Sequence, residues 1–384
     1  MSMKCFGLDP SSGTYLEIDY ESIITGVDTP IETPADALYV APAWIDLQVN
    51  GYAGVDYNSP STTFEQIGRS IDVLHSTGTA RFFPTVITGS PEGMLACLVN
   101  LMRARAELPN GRAMEGFHVE GPHISPDDGP RGAHPREWVR PPDVDEYMRW
   151  QDATGGLIRI VTLSPEWPDA PRYIEKLVRH GVVASIGHTK ASAEQIEAAV
   201  TAGATMSTHI CNGAHGEMRR HPNYLWDQLA DDRLTAGLIV DGIHLGQAFL
   251  KVAVRAKTAA RAFLVTDAAM PAMASPGVYR LGDQDVEHTA DGRVVLAGQT
   301  RLAGSALRMD HAIRNVMRMA GVSLVEAIAM ATRNPARVGR VAGRQRGIAT
   351  GERADLVLFR YDAQTHEVEV MQTIAGGEIV YQAS

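Results

Sequence analysis

The chain is poor in the residues that announce several classes of protein. Its 384 residues include 3 cysteines, Cys5, Cys97 and Cys211. They are scattered, odd in number and lack a CxxC pair, so neither a disulfide framework nor a thiolate metal cluster is indicated. A reducing cytoplasm is the expected setting. Basic charge is also short, since 35 Lys and Arg against 45 Asp and Glu leave a net charge of -10. That balance argues against a nucleic-acid partner, whose phosphates demand a basic face, while leaving room for a local basic pocket for one phosphate. No apolar run reaches the roughly 18 residues needed to cross a bilayer, so no membrane partner is expected. The start of the chain lacks the charged-then-apolar pattern of a secretory leader. Internal repeats, low-complexity tracts and long charge runs are missing too.

What is present is a globular composition, 45% hydrophobic with 36 Gly and 21 Pro. A barrel of about 250 residues with a smaller appendage accounts for the length. The stretch that organises the rest is Gly116-Phe117-His118-Val119-Glu120-Gly121-Pro122-His123. A short apolar run ends in a carboxylate and then Gly-Pro, the mark of a buried strand that stops and hands over to a loop.

Similar runs occur at 43–49, 81–87, 114–119, 158–163, 182–186, 205–208, 236–240 and 262–266. Between them, helical spacing appears at 65–74, 94–106, 173–178, 193–200 and 247–257. Eight strands alternating with helices predict an α/β fold, a (β/α)8 barrel of the TIM type. Residues 1–42 and 343–384 read as β, and termini often lie together. They are expected to form one small β-sandwich domain, with the barrel over 43–342.

The polar residue at each strand end carries the candidate chemistry. The first strand ends in Gln48-Val49-Asn50, the third in Glu120, the fifth in His188, the sixth in His209, the seventh in Asp241-Gly242-Ile243-His244 and the eighth in Asp267. In a barrel these ends share one mouth. Glu120, His188 and His209 supply three ligands for one divalent ion with a position left open. Zinc is the first expectation, and iron or manganese fit the same donors. Asp267 is placed to move a proton between water and a leaving nitrogen, which describes hydrolysis of an amide or related bond. His118 shares the face of Glu120 but reads as a hydrogen-bonded core residue. His75, His180, His288, His311 and His366 read as surface or helix residues. Met309, Ile313, Val316 and Met317 fall at helical spacing and read as core.

In order and spacing, these stretches resemble the amidohydrolase superfamily and, within it, the branch of N-acetylglucosamine-6-phosphate deacetylases. The resemblance covers about residues 42–353 and also rests on Gly132-Ala133-His134-Pro135, Thr208-His209-Ile210-Cys211-Asn212 and Leu302-Ala303-Gly304-Ser305. It implies a metal-dependent barrel that removes the acetyl group of N-acetylglucosamine 6-phosphate, working as a homodimer. It assigns the metal to Glu120, His188 and His209, the acid and base to Asp267, and the acetyl carbonyl to His244. It places Gln48, Ala133, His134, Asn212, Gly213, Arg220, His244, Leu302, Ala303 and Gly304 at the sugar. Many superfamily members hold a second ion with His-x-His where this chain has Gln48 and Asn50, so one ion is expected.

Two stretches depart from the family. Arg220 falls on the arginine of its Arg-x-Pro-Gly phosphate motif, but Asn223 replaces the glycine. Arg219, Arg220 and His221 offer a phosphate clamp there, with Glu217 opposing it. His123 stands where an aromatic is usual and is expected to make the rim more polar. Two further readings remain: the same chemistry on an unphosphorylated N-acyl amino sugar or an N-acyl amino acid, and a scaffold without catalysis.

Overall fold

The computed structural model describes residues 2–30 and 32–384. Eight parallel strands hydrogen-bond in chain order: β1 (Trp44–Val49), β2 (Thr79–Ile87), β3 (Phe117–Glu120), β4 (Ile158–Leu163), β5 (Val183–Ile186), β6 (Met206–Ser207), β7 (Thr235–Leu238) and β8 (Ala262–Leu264). Val49 bridges Ala268 in parallel just past the last strand, which brings the two edges together. All six residues of β1 are buried, as expected of a barrel strand enclosed on both faces.

Each helix forms where spacing and capping agree. Ala170–Arg179 buries Ala170, Tyr173, Ile174 and Leu177 along one stripe. Ala193–Thr201 begins with Ser192 and Gln195 in a reciprocal capping box. Every helical segment expected from the sequence lies inside an observed helix, and Met309–Ala320 buries Met309, Ile313, Val316 and Met317 as core.

Strands from both termini form one seven-stranded sheet. The N-terminal strand Tyr39–Pro42 pairs antiparallel with the C-terminal strand Leu356–Tyr361. The latter alternates between two cores. Leu356 and Leu358 join Cys5, Ile18, Tyr20 and Val40, whereas Val357 and Phe359 pack with Trp44 and the barrel. Asp355 seals the junction: it accepts Arg81 through Nε at 2.9 Å and Nη2 at 2.7 Å, and Arg344 Nη1 at 2.7 Å.

One element lay outside the sequence reading. After β8 the chain makes a three-stranded antiparallel sheet from Gly277–Leu281, Gln284–His288 and Val294–Leu296. Its signals were the two-residue turn Gly282-Asp283 and the Asp291-Gly292 turn between short alternating runs. The strand ends also shift. Strands expected over 205–208 and 262–266 stop at Ser207 and Leu264, so His209 and Asp267 stand on the turns that follow. The backbone explains this, because His188, His209 and Asp267 have φ of 49°, 24° and 50°. Left-handed non-glycine residues carry strain of about 1–3 kcal/mol each, which the surrounding structure must overcome.

Candidate active site

Glu120 ends β3, flanked in register by Ile87 and Thr162. His209 Nε2 donates to its Oε1 at 2.7 Å, and His188 Nε2 lies 3.3 Å from the same oxygen. The two Nε2 atoms stand 3.2 Å apart. His188 commits its Nδ1 to the Pro130 carbonyl at 2.8 Å, which turns its Nε2 to Glu120. His134 approaches from the loop after β3, with Nε2 3.8 Å from Glu120 Oε2 and Nδ1 hydrogen-bonded to Thr88 Oγ1 at 2.9 Å. Ligand atoms of Glu120, His134 and His188 all lie within 4.8 Å of one another.

The electrostatics follow from that crowding. Burial alone would raise the Glu120 carboxyl, but hydrogen bonds from His188 and His209 hold it well below the usual carboxylate range. Burial opposes charge on His209, yet the same bond to Glu120 lifts it to about 9. His134 is pushed down to about 3 by burial and by His188. Buried imidazole nitrogens this close to one carboxylate repel one another unless a proton or cation is shared. This nitrogen and oxygen donor set suits a borderline divalent ion.

Asp267 faces the cluster. Its Oδ1 accepts Gln48 Nε2 at 2.9 Å and Asn50 Nδ2 at 2.7 Å. Gln48 Nε2 also donates to Glu120 Oε1 at 2.8 Å, so one amide ties the two carboxylates together. Burial, with the charge of Glu120, keeps the Asp267 carboxyl above its ordinary range, against His209 and Asn50. Behind it, Asp46 accepts the Thr266 hydroxyl and the Thr266 and Gln48 amides. Asp46 thereby fixes both strand ends. His244 donates Nδ1 to Asp241 Oδ2 at 2.6 Å, and its own amide to Asp241 Oδ1 at 2.8 Å.

A cavity of about 370 Å³ opens over this floor. Glu120, His188, His209, Asp267 and His244 line it, as do Ala133, His134, Asn212, Gly213, Leu302, Ala303 and Gly304. Asn212 Nδ2 is buried without a protein partner, so it has a donor to offer. Gly213 is needed for approach: a Cβ there would sit 2.4 Å from His188 Nδ1, at a φ of +60°.

The structure places three of the expected residues as follows. Gln48 is not among the cavity-lining residues and instead bridges the carboxylates. Arg220 is exposed and does not line the cavity either. Asn223 explains its position. It caps the helix Tyr224–Ala230 through Leu225 N and Trp226 N, and its amide returns to the Arg219 and Arg220 carbonyls at 3.1 Å each. The loop is thus tied to that helix. His123 is not on the rim but fully buried, with ring centroids 5.9 Å from Trp150 and 5.1 Å from Tyr173. His118 is core as read, its ring paired to Leu47 O at 3.0 Å and Thr162 Oγ1 at 2.7 Å. The sequence reading missed Leu281, Gln284, Leu296, Thr300 and Arg301, which line the cavity from the inserted sheet and the segment after it.

A parallel barrel that gathers imidazoles and two carboxylates at the C-terminal ends of its strands defines a barrel hydrolase. The model of the Amidohydrolase family matches residues 39–380, and the chain belongs to that family. N-acetylglucosamine-6-phosphate deacetylase of Bacillus subtilis is 33% identical over 354 residues, covering 91% of this chain and 86% of the relative. The enzyme of that name from Homo sapiens is 34% identical over 358 residues, covering 90% and 84%. Among solved structures, a mutant N-acetyl-D-glucosamine-6-phosphate deacetylase from Mycobacterium smegmatis, in complex with N-acetyl-D-glucosamine-6-phosphate, has a TM-score of 0.85 at 32% identity, over 96% of this chain and 94% of the other. N-acetylglucosamine-6-phosphate deacetylase from Thermotoga maritima has a TM-score of 0.85 at 29% identity over 100% of both chains.

Proposed function

We propose that this protein hydrolyses the N-acetyl group of N-acetylglucosamine 6-phosphate, releasing acetate and glucosamine 6-phosphate. The observation that carries the chemistry is the convergence of His188 Nε2, His209 Nε2 and Glu120 Oε1 within 3.3 Å, beside a buried Asp267. The relatives' shared activity supports the choice of substrate.

Glu120, His188 and His209 would hold one divalent ion, zinc in the first place, which leaves His134 for the sugar. When bound, the ion supplies Lewis acidity and makes water acidic enough to react near neutral pH. Asp267, oriented by Asn50 and Gln48, takes a proton from the attacking water as the new C–O bond forms at the acetyl carbon. It returns that proton to the amide nitrogen as the C–N bond breaks, leaving acetate and the amine. His244, its Nδ1 held by Asp241, offers Nε2 to the carbonyl oxygen where negative charge develops. Asn212 and the Leu302-Ala303-Gly304 backbone hold the sugar. The working unit is a homodimer in the cytoplasm, with a terminal sheet domain of residues 1–42 and 343–384 and a barrel of 43–342.

The experiment is acetate release by metal-loaded protein from N-acetylglucosamine 6-phosphate and from N-acetylglucosamine, with Asp267→Asn as the blank and metal content measured alongside. Preference for the phosphorylated sugar is expected. Equal rates would leave a deacetylase of neutral sugars, and no release from either would overturn the reading.

A further inference from the structure

We infer that Asp46 and Thr266 are positioning residues for the reaction: together they hold the turn that aims Asp267 into the cavity. The inference rests on the deacetylase reading above, in which Asp267 carries the proton. Asp267 stands just past β8 with a φ of 50°. That left-handed conformation costs about 1–3 kcal/mol and persists only where the surroundings impose it. Whatever imposes it also sets the aim of the carboxylate.

Three routes lead from Asp46 to that turn. Its Oδ1 accepts the Thr266 amide at 3.2 Å, and its Oδ2 accepts the Thr266 hydroxyl at 2.5 Å. With its proton given to Asp46, the hydroxyl keeps its lone pairs for the Ala268 amide, which it accepts at 3.2 Å. The amides on either side of Asp267 therefore both trace back to Asp46. The third route is Gln48, whose backbone amide reaches Asp46 Oδ1 at 3.3 Å and whose side chain donates to Asp267 Oδ1 at 2.9 Å. Ser305 closes the other side, its hydroxyl donating to the Thr266 carbonyl at 2.6 Å and its amide to the Asp267 carbonyl at 2.9 Å. Asp46 is fully buried, and these neutral donors are its only partners among the described residues. Burial pushes its carboxyl up to about 7, with the Thr266 bonds opposing. A carboxylate kept in such a place without a counter-charge is costly to the fold, and the donors it gathers serve one turn.

The rival reading makes Asp46 an architectural tie between two strand ends, and the two are separable. Asp46→Asn keeps the shape of the side chain and removes its charge; Thr266→Val removes only the hydroxyl, and Thr266→Ser keeps it. Acetate release from N-acetylglucosamine 6-phosphate and N-acetylglucosamine, metal content and thermal melts are compared for the metal-loaded wild type and these variants, each alone and combined with Asp267→Asn. Asp46→Asn and Thr266→Val are expected to lose about 10- to 100-fold in kcat, the scale of a misplaced reacting group, with KM and metal content held. Thr266→Ser retains most of the wild-type rate. Combined with Asp267→Asn, neither change lowers kcat further, because each acts through that carboxylate. An architectural tie gives the opposite, a lower melting temperature and the same loss whether or not Asp267 is present. Wild-type kcat in Asp46→Asn or Thr266→Val, a loss confined to KM or metal content, or an equal loss in the Asp267→Asn background overturns the role while the deacetylase reading stands. Where Asp46→Asn does not fold, Thr266→Val decides by the same outcomes. A wild type that releases no acetate from either sugar overturns the deacetylase reading itself, and the role with it.

Discussion

At the scale of single residues, the site depends on how a few side chains are pinned. Asp267 receives two amide hydrogens, one from Gln48 and one from Asn50. Those amides orient the carboxylate without neutralising it. Asp267→Asn is expected to lower kcat by about 100- to 10,000-fold, the usual worth of a positioned acid and base, while metal content and melting temperature hold. Acetate release, metal analysis and a thermal melt check all three. Gly213 bears on the proposed ligand His188 instead, because any Cβ there would push its ring. Gly213→Ala is expected to weaken metal retention by about 10- to 100-fold, as changes behind a metal ligand usually do. Dialysis against graded chelator reads this directly. Glu120, His188, His209 and Asp267 were legible in the sequence because each stands where an apolar run breaks. The bridging contacts of Gln48 were not, since they span 72 residues to Glu120 and 219 to Asp267.

At the scale of elements, the terminal sheet and the barrel meet at Asp355. Burial alone would raise its carboxyl, but Arg344, Arg81 and Arg353 overcome that and hold it well below the usual carboxylate range. The sign follows from linkage. A carboxylate depressed in the folded state contributes stability that is fully present above its unfolded value, about 3.9, and that fades as pH falls below it. Asp355→Ala leaves buried arginines unpaired and is expected to cost about 3–5 kcal/mol. Urea unfolding at pH 7 measures the loss, and the gap between wild type and variant should narrow on acidification below pH 4. A gap that widens there would contradict this account of Asp355. The inserted sheet is a separate lesson. Its strands are short, and Gly277, Val278 and Arg280 of the first are exposed. Local hydrophobic patterning is weak in such a segment, and its packing over the cavity is a tertiary matter.

At the scale of the whole molecule, the proposed metal would couple to folding, because the cluster of Glu120, His188 and His209 joins β3 to the turns after β5 and β6. A ligand present at about 1,000 times its Kd adds about 4 kcal/mol to stability. Chelation should therefore lower the melting temperature, and re-addition of a divalent ion should restore it. The carboxylate and imidazoles bind metal only when deprotonated, so affinity should fall as pH is lowered. Titration of apo-protein with zinc at several pH values tests that direction.

The sequence by itself determined the alternation of strand and helix, the β character of both ends, and the carboxylate and histidines at the strand ends. These are local facts, written in periodicity and in the point where a run stops. Tertiary structure decided which loops line the cavity. Asn223 ties the Arg219-Arg220 backbone to the start of the following helix, and the inserted sheet lines the cavity through Leu281, Gln284 and Leu296. Spacing along the chain carries no information about either, because both depend on which loop packs against which.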